Sequence, residues 1–455
     1  MTATPPQRPA DTNPPWPNPG YAWYVVVILL LAYTCSFIDR MILTLLVAPI
    51  RADLGISDTQ MSLLVGFAFA VLYTLAGLPL GYVADRGNRK KLIMVGISLW
   101  SAMTAACGLA PNYALLFLAR IGVGIGEATL SPAAYSLMSD YFPKDKLGRA
   151  VAVYSIGVPL GSGIALVLGG LIVTLATEAP AISLPGIGEA APWRLVFFLV
   201  GLPGLAIALL MTTVREPFRR GLGQTQQAGT VRFRDAFTFV FSHGRTFVPL
   251  FAGLALYALV MYGQMTWIPT FFARTYAMAP ASAGFYYGII LAISGAAGLI
   301  LGGVLADHWF GKGKKDGHVL TILVAITGSA PFLIFGPQMP TPTLAFACIF
   351  IGQLVSAMYA GVAGASLQII TPNRYRGQVI ALYFFTANMI GFGIGPTAVA
   401  MITDFGFGDD GALRHSLSLV AAIVLPVAIG SIMLSRAPFR GSVASLEAED
   451  AALAT

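Results

Sequence analysis

Charge is scarce in this chain of 455 residues. Asp, Glu, Lys and Arg make up 10% of it, whereas they make up about a quarter of a typical soluble domain. Hydrophobic residues make up 56%, and a single soluble core of this size would leave too much apolar surface in contact with water. The composition therefore excludes an ordinary soluble protein, and it makes every charge inside an apolar run informative.

Cysteine and histidine are also rare. Cys35, Cys107 and Cys348 stand at scattered positions within apolar runs, so they predict neither a disulfide framework nor a metal cluster. The four histidines lie in loops or at the ends of apolar runs, and the sequence contains neither HExxH nor GxSxG. We therefore expect no metal site and no enzymatic activity.

Apolar runs of about 20 residues or more recur along the whole chain, and each is long enough to cross a hydrocarbon core of ~30 Å. Such runs form helices, because lipid offers no hydrogen-bond partners to a bare backbone. The predicted fold class is an all-α polytopic membrane protein with twelve transmembrane helices. The runs lie near residues 21–50, 58–84, 92–110, 113–141, 147–176, 192–214, 246–273, 281–306, 319–337, 342–370, 376–403 and 413–435.

The basic residues are distributed unevenly between the two sides of the predicted membrane protein. With the N-terminus placed in the cytoplasm, 21 of the 27 Lys and Arg residues fall in cytoplasmic tails, loops and helix ends. Four fall on the external side: Arg51, Arg194, Arg274 and Arg414. This asymmetry predicts that both termini are cytoplasmic. The expected location is a bacterial-type inner membrane. The asymmetry also accounts for the net charge of +7 without a nucleic-acid partner.

The longest polar interruption runs from Arg215 to Asp235 and divides the runs into six and six. Residues 1–20 are rich in proline and have no apolar core, so we expect a disordered cytoplasmic tail there. The predicted six-helix bundles cover 21–214 and 246–436. A cytoplasmic linker, 215–245, joins them, and its FRDAFTFVF stretch fits a short interfacial amphipathic helix. A cytoplasmic tail, 437–455, follows the second bundle.

Two loops of the first half have counterparts in the second half. Gly81-Tyr-Val-Ala-Asp85 recurs as Gly303-Val-Leu-Ala-Asp307 after the eighth run. Pro143-Lys-Asp-Lys-Leu-Gly148 recurs as Pro372-Asn-Arg-Tyr-Arg-Gly377 before the eleventh run. Matching loops indicate duplication, and parallel six-span repeats with a binding site between them are a known transporter architecture.

Several motifs resemble those of the major facilitator superfamily. The resemblance rests on GYVADRGNRKK, LFLARIGVGIGEA and, in part, GVPLGSG, from the second to the fifth run. FIDR in the first run and GEATLSPAAYSLMSDYF in the fourth are similar to the spinster branch, whose members are proposed carriers of sphingolipids and lysophospholipids. The resemblance implies two pseudo-symmetric six-helix bundles in the major facilitator fold, working by alternating access, in a bacterial homologue of the spinster proteins.

Four charges lie inside the spans of the first half: Asp39, Arg40, Arg120 and Glu127. A charge at the bilayer centre costs ~2.5–3.5 kcal/mol even on lenient scales, so we expect these groups to form a neutral cluster beside a water-filled pathway. Glu127 is the first candidate for the proton carrier and Asp39 the second. Arg120 and Arg40 would be counter-charges or anchors for an anionic head group. The alternative is a buried ion-pair lattice that only positions helices.

The repeated loops predict a cytoplasmic gate that forms when the two halves close on that side. Asp85 would lie near the start of the eleventh span, where the helix dipole favours an anion, and Asp307 would mirror it at the start of the fifth. Arg86 is predicted to pair with Asp140. The complete predicted set is Gly81, Asp85, Arg86, Arg89, Asp140, Arg149 and Asp307.

The second half offers aromatic, methionine and amide side chains but no charge within its spans. This composition suits an apolar tail better than a sugar, and it predicts a cavity wall made of Tyr257, Tyr262, Gln264, Trp267, Met358, Tyr359, Phe384 and Asn388. The favoured interpretation is a monomeric proton-coupled carrier of an amphiphilic lipid in the bilayer, with the proton as coupling ion and no other cofactor. The alternatives are a carrier of small organic anions or drugs, an intramembrane lipid enzyme, and a receptor or scaffold.

Overall fold

The computed structural model of the protein describes residues 14–178, 182–184, 188–219, 233–372 and 375–454. In this described part, twelve helical segments are long and apolar enough to cross a membrane, which confirms the predicted number. These spans are Pro19–Leu45, Asp58–Gly77, Arg89–Leu109, Tyr113–Tyr141, Lys146–Leu175, Trp193–Thr213, Gly244–Tyr276, Pro280–Gly311, Gly317–Gln338, Pro342–Ile369, Arg376–Phe407 and Asp410–Leu446.

Five spans are single helices with the bounds just given: the first, third, seventh, eighth and tenth. The remaining spans are composite. Their α-helices are Asp58–Ser62, Ala68–Arg86, Tyr113–Glu127, Leu130–Tyr141, Lys144–Ser155, Gly157–Glu178, Trp193–Leu210, Gly317–Phe335, Arg376–Ala387, Gly395–Met401 and Leu413–Ala454. Wider π-helical turns occupy Leu63–Phe67, Asn388–Ile394 and Ile402–Phe407, and 3₁₀ turns occupy Met211–Thr213, Gly336–Gln338 and Asp410–Ala412.

Helix ends follow from local sequence. Ser57 and Gln60 form a capping box at the start of the second span, because each side chain bonds the other residue's backbone N–H. The Asn112 side chain caps the fourth span by accepting from the Leu115 N–H. Gly55 has a φ of 63° and ends a separate short helix, Val47–Leu54. The first span ends at Leu45 instead of continuing to residue 50, because the backbone leaves the helical conformation at Leu46, where φ is −98° and ψ is 8°.

The segments outside the spans differ in part from the sequence predictions. A helix, Phe233–Ser242, occupies the FRDAFTFVF stretch, with Ala236 and Val240 buried and Phe237 and Phe241 exposed. The predicted tail after residue 436 is helical, because the last helix continues to Ala454. Most of the predicted N-terminal tail and much of the linker lie outside the described residues.

A short β-hairpin between the fifth and sixth spans is an addition to the all-α prediction, which is otherwise confirmed. Ile182–Leu184 pairs antiparallel with Gly188–Ala190, and Ile182 lies opposite Ala190. The hairpin lies outside the spans, so it does not alter the transmembrane architecture.

Because the described residues contain an even number of spans, the described segments before the first span and after the twelfth lie on the same side of the membrane. We call this the termini side and the opposite face the far side. The two halves, spans one to six and seven to twelve, meet at close backbone crossings toward the far side. A Cβ on Gly66 would lie 2.4 Å from the Phe392 carbonyl oxygen, and a Cβ on Gly284 would lie 2.4 Å from the Leu166 carbonyl oxygen. Glycine is therefore needed at both crossings.

On the termini side, the ends of the fifth and eleventh spans pack within their own halves. Lys144–Ser155 packs on Pro19–Leu45 and Leu130–Tyr141, whereas Arg376–Ala387 packs on Gly244–Tyr276 and Phe233–Ser242. The halves are thus joined at the far side and separated at the termini side, which is an inward-facing arrangement if the termini are cytoplasmic as predicted.

Candidate functional site

Glu127 and Arg40 form an ion pair between the fourth and first spans. The buried Glu127 Oε2 accepts hydrogen bonds from Arg40 Nε at 2.6 Å and from Ser36 Oγ at 2.6 Å, and Arg40 Nη2 lies 2.5 Å away. Ser36 and Arg40 are four residues apart, so one face of the first span presents both donors. The structure therefore brings two of the four predicted intramembrane charges into direct contact.

Small residues of the fourth span allow its charges to approach neighbouring helices. A Cβ on Gly124 would lie 2.8 Å from the Phe69 carbonyl oxygen, and a Cβ on Gly126 would lie 2.7 Å from the Trp100 backbone nitrogen. The second and third spans consequently pack directly against the fourth. The Gly-rich stretch RIGVGIGE thus places Glu127 deep inside the first half.

Asp39 and Arg120 are buried, and neither forms an ion pair with another described residue. Thr104 Oγ1 donates to Asp39 Oδ2 at 3.4 Å, while Asp39 Oδ1 has no hydrogen-bond partner among the described residues. The same holds for all three side-chain nitrogens of Arg120, which is 0% exposed. Buried polar groups without protein partners are the usual sites of internal water. Within the predicted cluster, Arg40 and Glu127 are therefore in direct contact. Asp39 and Arg120 are buried near them without a direct contact among the described residues.

Arg40 faces the space between the halves, surrounded by aromatic rings. Its guanidinium carbon lies 4.7 Å from the Phe37 ring centre, 4.4 Å from that of Phe69 and 4.9 Å from that of Tyr73. Such cation–π contacts stabilise a cation away from water. The space is a cavity of about 20 Å³, large enough for water. It is lined by Phe37, Arg40, Met41, Phe69, Ala70 and Tyr73 from the first half and by Tyr262, Met265, Asn388 and Phe392 from the second.

Two of the predicted cavity-wall residues, Tyr262 and Asn388, line this cavity. Three others do not line it in this arrangement, and their polar atoms bond inside the second half. Tyr257 Oη lies 2.8 Å from Ser329 Oγ. Gln264 Nε2 donates to the Leu333 carbonyl at 3.2 Å, and Trp267 Nε1 donates to the Pro396 carbonyl at 2.9 Å.

The last three predicted wall residues lie outside the lining of the cavity. Met358 is buried where the tenth span meets Gly302 of the eighth. The ring of Tyr359 contacts that of Tyr257 edge-on, with 4.8 Å between their centres. Phe384 is exposed near the termini side.

The predicted Arg86–Asp140 pair is absent from the described residues. Asp140 instead pairs with Arg89, which is 1% exposed and also donates to Glu216 Oε1 at 2.7 Å. The exposed Arg86 guanidinium lies 3.9 Å from the centre of the Tyr82 ring. Arg89 therefore ties the third and fourth spans to the start of the linker after the sixth span, without a contact to the described residues of the second half.

The other predicted gate residues lie apart on the termini side. Arg149 and Asp307 are exposed and Gly81 is half-buried, while the side chain of Asp85 is outside the described part of the structure. The two halves are separated on this side, so contacts that would form when they close are not made among the described residues. The cytoplasmic gate therefore remains a prediction.

Sequence reasoning missed an ion cluster on the far side. Asp58, Asp404 and Asp410 bring carboxylate oxygens within 4.8 Å of one another. Arg51 and Arg274 each contact Asp58 and Asp410, so protein cations neutralise these two acids. Asp404 accepts from the Thr59 N–H. Burial disfavours the Arg51 cation, but its hydrogen bond to Asp410 and the charge of Asp58 outweigh burial and raise the pKa of Arg51 above its usual value. The sequence signal for this cluster is the presence of acids close to the external arginines, as at Arg51 and Asp58.

Relatives of this chain are transporters. It is 28% identical over 427 residues to an MFS-type efflux pump of Mycolicibacterium smegmatis, covering 90% of this chain and 92% of the pump. It is 27% identical over 420 residues to the sphingosine-1-phosphate transporter SPNS2 of Mus musculus, covering 88% of this chain and 73% of that protein. Spinster proteins are thus among its homologues.

Solved structures show the same architecture. A bacterial homolog of the human lysosomal transporter spinster, in an inward-facing and unoccupied conformation, matches with a TM-score of 0.75 at 28% identity. The match covers 94% of this chain and 98% of that one. The family pattern described as Major Facilitator Superfamily spans residues 29–396. With two six-helix halves around a central cavity, this chain belongs to the Major Facilitator Superfamily.

Proposed function

We propose that the protein is a proton-coupled carrier that moves an amphiphilic lipid, such as a sphingolipid or lysophospholipid, by alternating access. The observation that carries this proposal is the Arg40–Glu127 ion pair, which stands at the boundary between the buried first-half charges and the cavity between the halves. Arg40 lines that cavity while Glu127 lies behind it, and an ion pair that only positions helices would not need to place its cation there.

The geometry supports an exchange between proton and substrate at Glu127. Its Oε2 atom holds Arg40, while Oε1 has no partner among the described residues and is available to a proton. Protonation would remove the charge that holds Arg40 and leave its guanidinium free to bind an anionic head group. Loss of the proton would restore the ion pair and release that head group.

The surroundings of Arg40 support an amphiphilic substrate. Phe37, Phe69 and Tyr73 surround the cation, and Tyr262 and Phe392 face it from the other half. An anionic group at Arg40 would therefore be adjacent to apolar rings that suit an alkyl chain. The sphingosine-1-phosphate transporter among the relatives has a name consistent with such a substrate.

The second candidate is a proton-coupled carrier of small organic anions or drugs. It is favoured by the similarity to an efflux pump and by Asn388, a polar group in the cavity lining. It uses the same charges, but its substrates would gain little from a longer alkyl chain.

The deciding experiment is transport by the purified protein in proteoliposomes under an imposed pH gradient. Labelled sphingosine-1-phosphate and a lysophospholipid are compared with a short organic anion and a cationic dye. We expect gradient-dependent movement of the single-chain lipids, and Glu216→Gln, which removes an acid outside the cavity, serves as control. Movement of the small solutes without the lipids would establish the second candidate, and lipid movement that ignores the gradient would refute proton coupling.

A further inference from the structure

Four charged residues on the far side form a closed ring of alternating sign, which we call the far-side ring: Arg51, Asp58, Arg274 and Asp410. Arg274 contacts Asp58 at 2.5 and 2.8 Å. Arg51 contacts Asp410 at 2.5 Å. The ring is completed by Arg51 to Asp58 at 3.0 Å and by Arg274 to Asp410 at 3.5 Å.

The four contacts of the ring divide equally between two kinds. Arg51 and Asp58 both belong to the first half, and Arg274 and Asp410 both belong to the second. The Arg274–Asp58 and Arg51–Asp410 contacts therefore join the halves, whereas the other two contacts lie within a half. Each residue has one partner in its own half and one in the other.

We infer that the far-side ring is the switch that closes this face, and that it opens by separating into two neutral pairs. When the halves part, the two contacts between them break. Arg51 keeps Asp58, and Arg274 keeps Asp410. The ring thus adds attraction when the face is closed and leaves no unpaired ring charge when the face is open.

This division matters because Asp58 is 0% exposed. Removing the partner of a buried charge normally costs several kcal/mol, since the remaining charge is left uncompensated. A single ion pair between the halves would impose that cost at every opening. Retention of a partner in each half avoids it, so the closed state is favoured without making the open state inaccessible.

Neighbouring hydrogen bonds also favour closure of the far side. Asp404 of the second half accepts from the Thr59 N–H of the first at 2.7 Å, and Ser62 Oγ donates to Thr397 Oγ1 at 3.1 Å. Both bonds join the halves beside the ring. The inference depends on alternating access alone, and therefore holds whichever substrate or coupling ion the protein uses.

Two double substitutions of ring residues have opposite expected effects. Arg51→Asp with Asp58→Arg exchanges charges within one half, so it keeps the contacts inside each half attractive and makes both contacts between halves repulsive. Asp58→Arg with Arg274→Asp exchanges charges across the halves, so it keeps the contacts between halves attractive and makes those inside each half repulsive. The two variants have the same net charge.

The readout is the distance between spin labels on the two halves, measured on each face in lipid nanodiscs. Pro111→Cys with Thr343→Cys reports the far side, and Lys146→Cys with Lys312→Cys reports the termini side, after replacement of the three native cysteines. The exchange within one half should raise the ratio of far-open to far-closed molecules roughly tenfold or more. The exchange across the halves should lower it.

The control is Asp53→Asn, which breaks an ion pair with Arg194 on the same face but inside the first half. It should leave both distances unchanged. If both exchanges shift the population in the same direction, or if neither shifts it, the inference is overturned. Where an exchanged protein does not fold, Arg274→Gln applies the same test, because it removes the Asp58 contact and should favour the far-open form. Wild-type distances in that variant would also overturn the inference.

Discussion

The two halves share a six-span architecture but differ in the chemistry of their interiors. The first half buries Asp39, Arg120 and Glu127 within its spans, and several of their side-chain atoms have no partner among the described residues. The second half places neutral polar side chains at its centre, such as Tyr257 and Gln264, and each bonds to a group in its own half. The first half thus contains charges that can respond to a proton, whereas these central polar groups of the second half are satisfied by neutral partners.

The difference shows how two copies of a duplicated bundle can take different functions in one carrier. Ionisable groups confined to one half can respond to a proton while the other half keeps its packing. The cavity lies where Arg40 of the first half meets Tyr262 and Asn388 of the second. Substitutions should therefore alter coupling in the first half and stability or substrate fit in the second.

The largest expected effect is that of Glu127→Gln. Gln keeps the size of the side chain and can still accept from Ser36 and Arg40, but it cannot carry the proton. We expect loss of uptake driven by a pH gradient, with binding and folding retained, measured by proteoliposome transport and by ligand titration. Glu216→Gln is the matched control outside the membrane. Undiminished gradient-driven uptake by Glu127→Gln would transfer the role to Asp39.

Chain length should have the next largest effect. Each buried methylene contributes roughly 0.8 kcal/mol, or about fourfold in affinity. In a series of single-chain lipids with one head group, affinity should therefore rise with chain length until the apolar space is full. Calorimetric titration of purified protein, with sugars and short organic anions as comparison ligands, gives the measurement. Affinity independent of chain length would favour the carrier of small anions.

Arg40→Gln should weaken binding of anionic head groups by about tenfold, because a charge-assisted hydrogen bond contributes ~1.5–3 kcal/mol. Zwitterionic lipids should lose less. Arg120→Gln is the matched variant, since Arg120 is equally cationic but does not line the cavity. A greater loss in Arg120→Gln than in Arg40→Gln would show that the head group binds deeper in the first half.

The smallest effect is expected for Tyr257→Phe in the second half. Removing the hydroxyl breaks its bond to Ser329 and should cost about 1 kcal/mol of stability. Substrate affinity should not change, since Tyr257 does not line the cavity. Thermal unfolding and ligand titration separate these outcomes, with Tyr262→Phe as the variant at the cavity. If substrate affinity changes in Tyr257→Phe but not in Tyr262→Phe, Tyr257 belongs to the cavity wall as the sequence predicts.

The fold was predictable because apolar run length, repeated loops and the distribution of basic residues all give the same answer. The contact between Arg40 and Glu127 was predictable too, because opposite charges that are buried at similar depths attract each other. The wall residues were less accessible to prediction. A span that is apolar on every side carries no periodicity to show which face meets the cavity, so the sequence does not separate Tyr262, which lines it, from Trp267 and Tyr257, which do not line it here.

The far-side ring escaped prediction for a different reason. Arg51 and Asp410 are 359 positions apart, and no local pattern relates them. Arg89 and Arg86 illustrate the same limit at short range: both follow the second span, but only the packing of the third and fourth spans determines that Arg89 is the one beside Asp140. Contacts that depend on tertiary packing are not encoded in spacing.

The last helix offers a site where a probe can report the motion of the second half. Residues 437–454 continue it by about 27 Å at 1.5 Å per residue. Because this extension is continuous with the twelfth span, a rigid module fused without a linker after Ala454 would turn with the second half. A fluorescent protein or an imaging scaffold attached there would amplify a small rocking angle into a displacement large enough for single-particle microscopy or single-molecule fluorescence.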